Sequence, residues 1–164
     1  MHISIFRQRA VHAGLFAAAL LAGCAAPSAP PPVAKPEAPT CQAAASGEAL
    51  VGNWLSVRKQ KGVAGELRTL FTLHPDGTMA YTELLKRGKN PSQGLSETGC
   101  WERRQQTLTM RTLQSNGAPV SLDDPIYTND YTVVSADDKA LSLKEADGTV
   151  ITARRMSPGY RLPF

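Results

Sequence analysis

From residue 41 onward, hydrophobic and polar residues alternate in short runs. Residues 141–144 (LSLK) show this most clearly, because the leucines occupy every second position. A period of two places such residues on one face of a β-strand. No stretch of this region has a long helical period, and only residues 42–50 are compatible with a short helical turn. The pattern predicts eight strands, at about 51–59, 66–73, 78–86, 97–104, 106–113, 127–135, 139–145 and 149–156.

Turn-forming residues separate several of these strands. The clearest are residues 75–77 (PDG), 116–117 (NG), 137–139 (DDK) and 147–148 (DG). Asp-Gly and Asn-Gly pairs suit the positive φ angles of tight hairpins. Short strands joined by tight turns predict an all-β domain, an antiparallel meander that closes into a barrel of roughly eight strands. A β-sandwich is the second interpretation of the same pattern.

The beginning of the chain has a different pattern. Residues 1–9 carry two arginines and no acidic residue, and residues 10–21 are almost entirely apolar. A membrane-spanning helix needs roughly 20 apolar residues, so this run is too short to span a bilayer. Its length and its basic start are typical of a secretory signal.

Residues 21–24 (LAGC) end the apolar run and resemble the lipobox of bacterial lipoproteins. The resemblance implies that residues 1–23 are a signal peptide and that the Cys24 sulfur receives a diacylglyceryl group. It also implies that Cys24 becomes the amino terminus and is acylated there with a fatty acid such as palmitate. Several buried acyl chains hold a protein firmly in a membrane. Residue 25 is Ala and not the Asp associated with inner-membrane retention, so the resemblance favours the outer membrane and a periplasm-facing domain. An ordinary secretory signal with an incidental cysteine is the alternative.

A segment rich in proline and alanine follows the cysteine. Residues 25–40 contain six prolines and five alanines. Such a segment cannot form a core and favours extended polyproline II, at about 3.1 Å per residue. We therefore interpret residues 24–40 as the anchor and linker, and residues 41–164 as the folded domain. A proline-rich recognition peptide around residues 30–32 is the alternative.

The charge of the chain needs correction before it is interpreted. The formal net charge is +4, from 18 basic and 14 acidic residues. Without Arg7 and Arg9 of the signal segment, 16 basic residues remain against 14 acidic ones, which leaves about +2. The sequence shows no basic helix or platform of arginine and aromatic residues. We expect no nucleic-acid partner.

The domain also resembles the lipocalin group, especially the small lipocalin-like domains of bacterial envelope proteins. The motifs are Gly52 and Trp54 in residues 50–54 (LVGNW), residues 71–78 (FTLHPDGT) and residues 99–101 (GCW), and the likeness covers most of residues 48–156. It implies a barrel in which Gly52 permits close backbone approach and Trp54 plugs the closed end. The CxxC motif of the related copper-resistance lipoproteins is absent.

Two cysteines, Cys41 and Cys100, remain after Cys24 receives its lipid. Paired thiols usually oxidise in an exported protein. We therefore predict a Cys41–Cys100 disulfide. Reactive free thiols are the alternative, but neither cysteine has a flanking base.

The sequence offers little for catalysis. The chain after residue 23 keeps one histidine, His74, at the mouth of a predicted hairpin. The acidic pairs at residues 123–124 and 137–138 lie in turn-forming sequence. His74 and Asp76 supply at most two metal ligands, whereas a structural zinc site needs four. We expect no enzyme activity, no cofactor and no metal.

Two non-catalytic hypotheses remain. The first is a lipid-anchored protein that binds an apolar or amphipathic ligand in the barrel, with Trp54, Phe71, Tyr81 and Arg103 as the candidate ligand-binding residues. The second is an envelope interaction protein, such as a hydrolase or protease inhibitor or an assembly scaffold. Its candidate contact segments are residues 86–96, 114–126 and 157–164, although the last can instead dock on the barrel.

Overall fold

The computed structural model describes residues 39–59, 62–88 and 93–162. The predicted signal peptide, Cys24 and most of the proline-rich linker lie outside this range. The strands are β1 Gly52–Arg58, β2 Glu66–Leu73, β3 Thr78–Lys86, β4 Gln93–Arg104, β5 Thr107–Ser115, β6 Ala118–Pro119, β7 Thr128–Ala136, β8 Ala140–Lys144 and β9 Val150–Met156. A single 3-10 turn, Pro125–Tyr127, precedes β7 among the described residues.

Eight of the strands form a closed antiparallel barrel. Strand order runs β4-β3-β2-β1-β9-β8-β7-β5, and pairing of β4 with β5 closes the ring. The short strand β6 pairs only with the end of β5. The structure thus confirms the predicted all-β, lipocalin-like meander barrel, and it excludes the sandwich. The extra strand β6 was not predicted, and residues 42–50 form turns instead of a helical turn.

The four predicted turns all lie where one strand passes to the next. Gly77 between β2 and β3 has a φ of 82°, and the Asn116–Gly117 pair has φ values of 48° and 81°. Asp147 and Asp137 fix the other two turns because their side chains accept backbone N–H groups two residues on. Local residue chemistry therefore sets the hairpin positions.

The main core fills one half of the barrel interior. Its buried members include the following inward-facing side chains from five strands: Trp54, Phe71, Leu73, Leu108, Leu141, Leu143 and Ile151. The inward faces of the same strands continue into the other half of the barrel, where charged and hydroxyl side chains join apolar ones. The barrel is therefore packed at one end and keeps a partly polar cavity at the other.

A leading segment, residues 41–50, closes the packed end. The Cys41–Cys100 disulfide ties it to β4, with the two Cα atoms 5.2 Å apart, which confirms the predicted pairing. The segment passes so close to the β2–β3 turn that a Cβ atom on Gly77 would lie 1.8 Å from the Gln42 carbonyl oxygen. Leu50 at its end is completely buried.

The C-terminal tail packs on the outside of the barrel. Leu162 is 4% exposed and joins Leu55, Leu70 and Leu84 in a second core cluster, against which Tyr160 also packs. The tail is therefore part of the fold, at least as far as residue 162. All strands, both clusters and the disulfide lie within one compact unit, Glu37–Phe164. This unit contains every packing interaction described above, as an independently folding domain does.

Candidate ligand site at the barrel mouth

The packed end of the barrel is sealed by a tryptophan and an arginine. The Trp54 indole Nε1 donates to the Leu50 carbonyl oxygen at 2.8 Å, and the Arg155 guanidinium lies 4.0 Å from the Trp54 ring centroid. Arg155 also donates to the carbonyl oxygens of Val51 at 2.7 Å and Ala49 at 3.0 Å. A Cβ atom on Gly52, whose φ is 141°, would lie 2.3 Å from Arg155 Nη1. No ligand can enter from this end without breaking these contacts.

The opposite end holds a cavity of about 440 Å³, here called the mouth cavity. This volume is near the lower limit of small-molecule sites, which occupy roughly 300–1,000 Å³. Its lining combines apolar, aromatic and charged side chains: Arg58, Leu67, Met79, Tyr81, Glu83, Leu95, Glu97, Met110, Thr112, Ile126, Tyr127, Asn129, Tyr131 and Glu145. A site with an apolar floor and polar walls suits an amphipathic ligand.

Strand register explains why these side chains meet. Phe71 lies opposite Tyr81 in the β2–β3 pair, and Thr69 lies opposite Glu83 one step nearer the mouth. Residues two apart on a strand share a face, so the inward face of β3 runs from Met79 through Tyr81 to Glu83. The change from apolar to charged residues along this face marks the boundary between core and cavity.

Two of the carboxylates accept hydrogen bonds from neighbouring hydroxyl groups. The Tyr81 hydroxyl donates to Glu83 Oε2 at 2.7 Å, and the Thr112 hydroxyl donates to Glu97 Oε2 at 3.2 Å. These bonds hold the carboxylates in fixed positions on β3 and β4. Each carboxylate oxygen can accept further hydrogen bonds from a ligand.

Two other polar atoms at this end are shielded from solvent and have no partner. They are Arg58 Nη1 and Thr69 Oγ1, and neither makes a hydrogen bond within the part of the chain that the structure describes. Thr69 is 1% exposed. Buried polar groups without partners are rare in folded proteins and destabilise them. Of the two residues, Arg58 lines the mouth cavity, where water or a ligand can complete its hydrogen bonding. The Thr69 hydroxyl lies beside Tyr81.

The two cavity tyrosines have perturbed acidity. Burial, followed by the hydrogen bond to Glu83, raises the pKa of Tyr81 well above its usual value. Burial, and then the negative charge of Glu145, raises the pKa of Tyr131 to about 12. The charge of Arg58 acts in the opposite direction on the pKa of Tyr131. Both phenols therefore stay neutral near pH 7, and the charges of the cavity come from its carboxylates and its guanidinium.

The four residues predicted to bind ligand do not lie together. Tyr81 lines the mouth cavity. Phe71 is fully buried beneath it, with its ring 5.4 Å from that of Tyr81. Trp54 seals the packed end of the barrel together with Arg155. Arg103 also lies at that end, where its Nη1 atom is 2.8 Å from Glu48 Oε1 of the leading segment.

The sequence analysis missed most of the cavity residues, among them Arg58, Glu83, Glu97 and Glu145. The sequence does contain a signal for them. Glu83 lies on the same face of its strand as Met79 and Tyr81, and Arg58 lies on the same face as Trp54. A charged residue at the end of an otherwise apolar inward face indicates a polar cavity at that end of the barrel. Arg155 also faces inward, but it seals the packed end.

The other candidate groups of the sequence have structural positions. His74 is exposed in the β2–β3 turn, and Asp124 caps the 3-10 turn by accepting the Ile126 N–H at 3.0 Å. Over residues 39–59, 62–88 and 93–162, no cluster of three His, Cys, Asp or Glu side chains could hold a metal ion.

A larger groove of about 580 Å³ follows the C-terminal tail on the outer surface. Two of its polar side chains are already bonded within the protein. Asn53 Nδ2 donates to the Ser157 carbonyl oxygen at 2.9 Å, and Arg155 donates to the Val51 carbonyl oxygen at 2.7 Å. The mouth cavity is the better candidate, because it lies inside the barrel and its Arg58 Nη1 atom is shielded and has no partner among the described residues.

A scan of known protein families finds no match to this chain, and a search of curated proteins finds no significant match. In the described part of the chain, no helix has the length and apolar character needed to cross a membrane.

Proposed function

We propose that this protein is a lipid-anchored binding protein of the bacterial outer membrane, which holds a small amphipathic ligand in its periplasm-facing barrel. The lipobox-like residues 21–24 support the anchor, and the proline-rich linker supports a domain held away from the lipid. The domain itself supports the binding role through one observation, which is the half-filled barrel.

The half-filled barrel carries the binding proposal because small barrels are commonly filled by their own side chains. Here Trp54, Phe71 and Leu108 fill one half completely, while the other half retains a cavity of about 440 Å³. Met79 and Met110 form an apolar floor, and charged groups line the walls. Methionine side chains adapt easily to different apolar surfaces.

The rim offers a route for an apolar ligand. Ile126 lines the mouth cavity and yet is 71% exposed. It belongs to the 3-10 turn Pro125–Tyr127, which precedes β7 and contributes Ile126 and Tyr127 to the lining of the cavity. An exposed apolar side chain at the opening can guide an amphipathic molecule toward the floor.

The binding proposal is tested by native mass spectrometry of unit 37–164, secreted to the periplasm and purified gently. We expect a reproducible small-molecule adduct that dissociates on denaturation. The variant Thr112→Phe fills the cavity and should lose the adduct, whereas Thr109→Phe on the outer face of the same strand should keep it. Circular dichroism confirms that both variants fold. A bare mass for the unaltered protein contradicts the proposal and favours the envelope-interaction hypothesis.

The anchor is tested separately on the full chain. We expect the protein to incorporate labelled palmitate and to fractionate with the outer membrane. The variant Cys24→Ser should do neither. Palmitate incorporation that persists in this variant contradicts Cys24 as the attachment site.

A further inference from the structure

The charges of the mouth cavity are neither balanced nor paired. Glu83, Glu97 and Glu145 supply three carboxylates, and Arg58 supplies one guanidinium. The ion pairs among the described residues lie elsewhere, at Arg68–Glu66, Arg103–Glu48 and Arg104–Glu102. All four side chains are half-buried. A ligand that brings complementary charges would form charge-assisted hydrogen bonds with them.

We propose that the mouth cavity binds a zwitterion that carries an ammonium group, an oxyanion and a short apolar chain. The ammonium group contacts the carboxylates of Glu83 and Glu97, the oxyanion contacts Arg58, and the apolar chain lies against Met79 and Met110. This inference rests on the proposed binding function and specifies the chemistry of its ligand.

A ligand with only one charge fits less well. A simple anion would meet three carboxylates, which repel it. A simple cation would leave the shielded Arg58 Nη1 without a partner and would place a second positive charge near it. A zwitterion avoids both penalties, because an oxyanion accepts hydrogen bonds from guanidinium and an ammonium group donates them to carboxylates.

The hydroxyl groups of the cavity strengthen this assignment. The hydroxyls of Tyr81 and Thr112 donate to Glu83 and Glu97, so both carboxylates are already oriented before a ligand arrives. Thr69 lies across from Glu83 and is buried. Its hydroxyl lies beside Tyr81 and lowers the pKa of that phenol, against the larger effect of burial.

The test compares three soluble probes with the same six-carbon chain, which are norleucine (a zwitterion), hexylammonium (a cation) and hexanoate (an anion). Binding to unit 37–164 is measured by isothermal titration calorimetry. We expect norleucine to bind at least about tenfold more tightly than either singly charged probe. Hexanoate binding as tightly as norleucine would overturn the proposal.

Substitutions separate the two contacts. Glu83→Gln and Glu97→Gln should each lower the affinity for norleucine and hexylammonium about tenfold and leave the affinity for hexanoate unchanged. Arg58→Gln should lower the affinity for norleucine and hexanoate and leave the affinity for hexylammonium unchanged. The matched controls are Glu66→Gln and Arg68→Gln, which make the same charge changes in an outward-facing ion pair. Circular dichroism confirms folding, and the two glutamate variants keep the test decisive if Arg58→Gln does not fold. An equal loss of affinity for all three probes in these variants would overturn the assignment of the ammonium and oxyanion contacts.

An amino acid and a phosphoethanolamine headgroup share this zwitterionic chemistry. Dihexanoyl phosphatidylethanolamine, used below its micellar concentration, is therefore a fourth probe. Whichever of this lipid and norleucine binds more tightly identifies the class of molecule that the cavity takes. If no probe binds while mass spectrometry shows an uncharged ligand, the binding function stands and the zwitterion assignment fails. If no probe binds and no adduct is found, both fail, and water alone fills the cavity.

Discussion

The two ends of the barrel each contain an inward arginine, and they use it in opposite ways. At the packed end, Arg155 lies over Trp54 and donates to the carbonyl oxygens of Val51 and Ala49. At the mouth, Arg58 has a shielded Nη1 atom with no partner in the described part of the chain. The same residue type completes a structural seal in one place and leaves an unsatisfied donor in the other.

This difference shows where the fold is stabilised and where it is available for binding. Contacts at the packed end are satisfied internally, so changes there act on stability. At the mouth, Arg58 Nη1 has no hydrogen-bond partner and the carboxylates have no ion-pair partner among the described residues, so changes there act on binding. Binding sites are often built from groups that reduce stability when no ligand is present. The following predictions test whether the two ends separate in this way.

The largest effect is expected for Trp54→Ala at the packed end. Trp54 is completely buried, and truncating such a residue costs about 3–5 kcal/mol. The variant also leaves the Leu50 carbonyl oxygen without its donor. Urea denaturation of unit 37–164 measures the loss. Ile126→Ala at the exposed rim is the control and should change stability by less than about 0.5 kcal/mol. Equal losses in the two variants would contradict the division between the ends.

The second effect concerns the disulfide. Replacing Cys41 and Cys100 together by serine should reduce stability by about 2–4 kcal/mol, because the bridge closes a loop across a sequence separation of 59 residues. The bridge ties the leading segment to the packed end, so probe binding at the mouth should change less than about twofold. Denaturation with and without reductant checks the first expectation, and calorimetry checks the second. A large loss of binding would show that the mouth depends on the seal.

The third effect is a dependence of stability on alkaline pH. The pKa of Tyr131 is raised to about 12 in the folded protein, by burial first and then by Glu145, against about 10 in an unfolded chain. A raised pKa favours the neutral phenol, so its contribution is complete below about pH 10 and is lost as the pH rises to about 12. That contribution is on the order of 2–3 kcal/mol. Absorbance of tyrosinate near 295 nm and denaturation curves at each pH measure it.

The variant Tyr131→Phe is the control for this pH dependence. It keeps the ring and removes the titrating hydroxyl, so its stability should fall less steeply between about pH 10 and pH 12. Identical curves for the variant and the unaltered protein would contradict the role assigned to Tyr131.

The smallest effect compares the two arginines directly. Arg155→Met should cost about 1–3 kcal/mol, because it leaves backbone carbonyl oxygens without donors. Arg58→Met should be neutral or should stabilise the unliganded protein by up to about 1 kcal/mol, since it removes a half-buried charge that has no ion-pair partner among the described residues. Urea denaturation of both variants gives the two values. A cost for Arg58→Met as large as that for Arg155→Met would mean that Arg58 is also a structural residue.

Most of the fold was predictable because its signals are local. The alternation of residues 141–144 and the Asp-Gly and Asn-Gly turns placed eight strands close to their observed positions. The disulfide followed from the count of cysteines. The two-residue strand β6 was missed because Ala118 and Pro119 carry no alternation, and its pairing with β5 is visible only in the sheet.

The site was much less predictable. Of the predicted ligand-binding residues, only Tyr81 lines the mouth cavity, because the aromatic side chains of Trp54 and Phe71 are fully buried in the core. Arg103 was correctly placed on a strand, but its partner Glu48 comes from the leading segment, 55 residues earlier in the chain. No local pattern could indicate that ion pair.

The sequence by itself determined which residues form strands, which faces of the strands are apolar, where the chain turns and which cysteines pair. Tertiary structure alone decided which end of the barrel is filled and which charged residues meet at the other. The physical reason is that alternation and turn chemistry act between near neighbours in the chain. Barrel closure through β4 and β5, by contrast, sets the height at which inward side chains from distant strands come together.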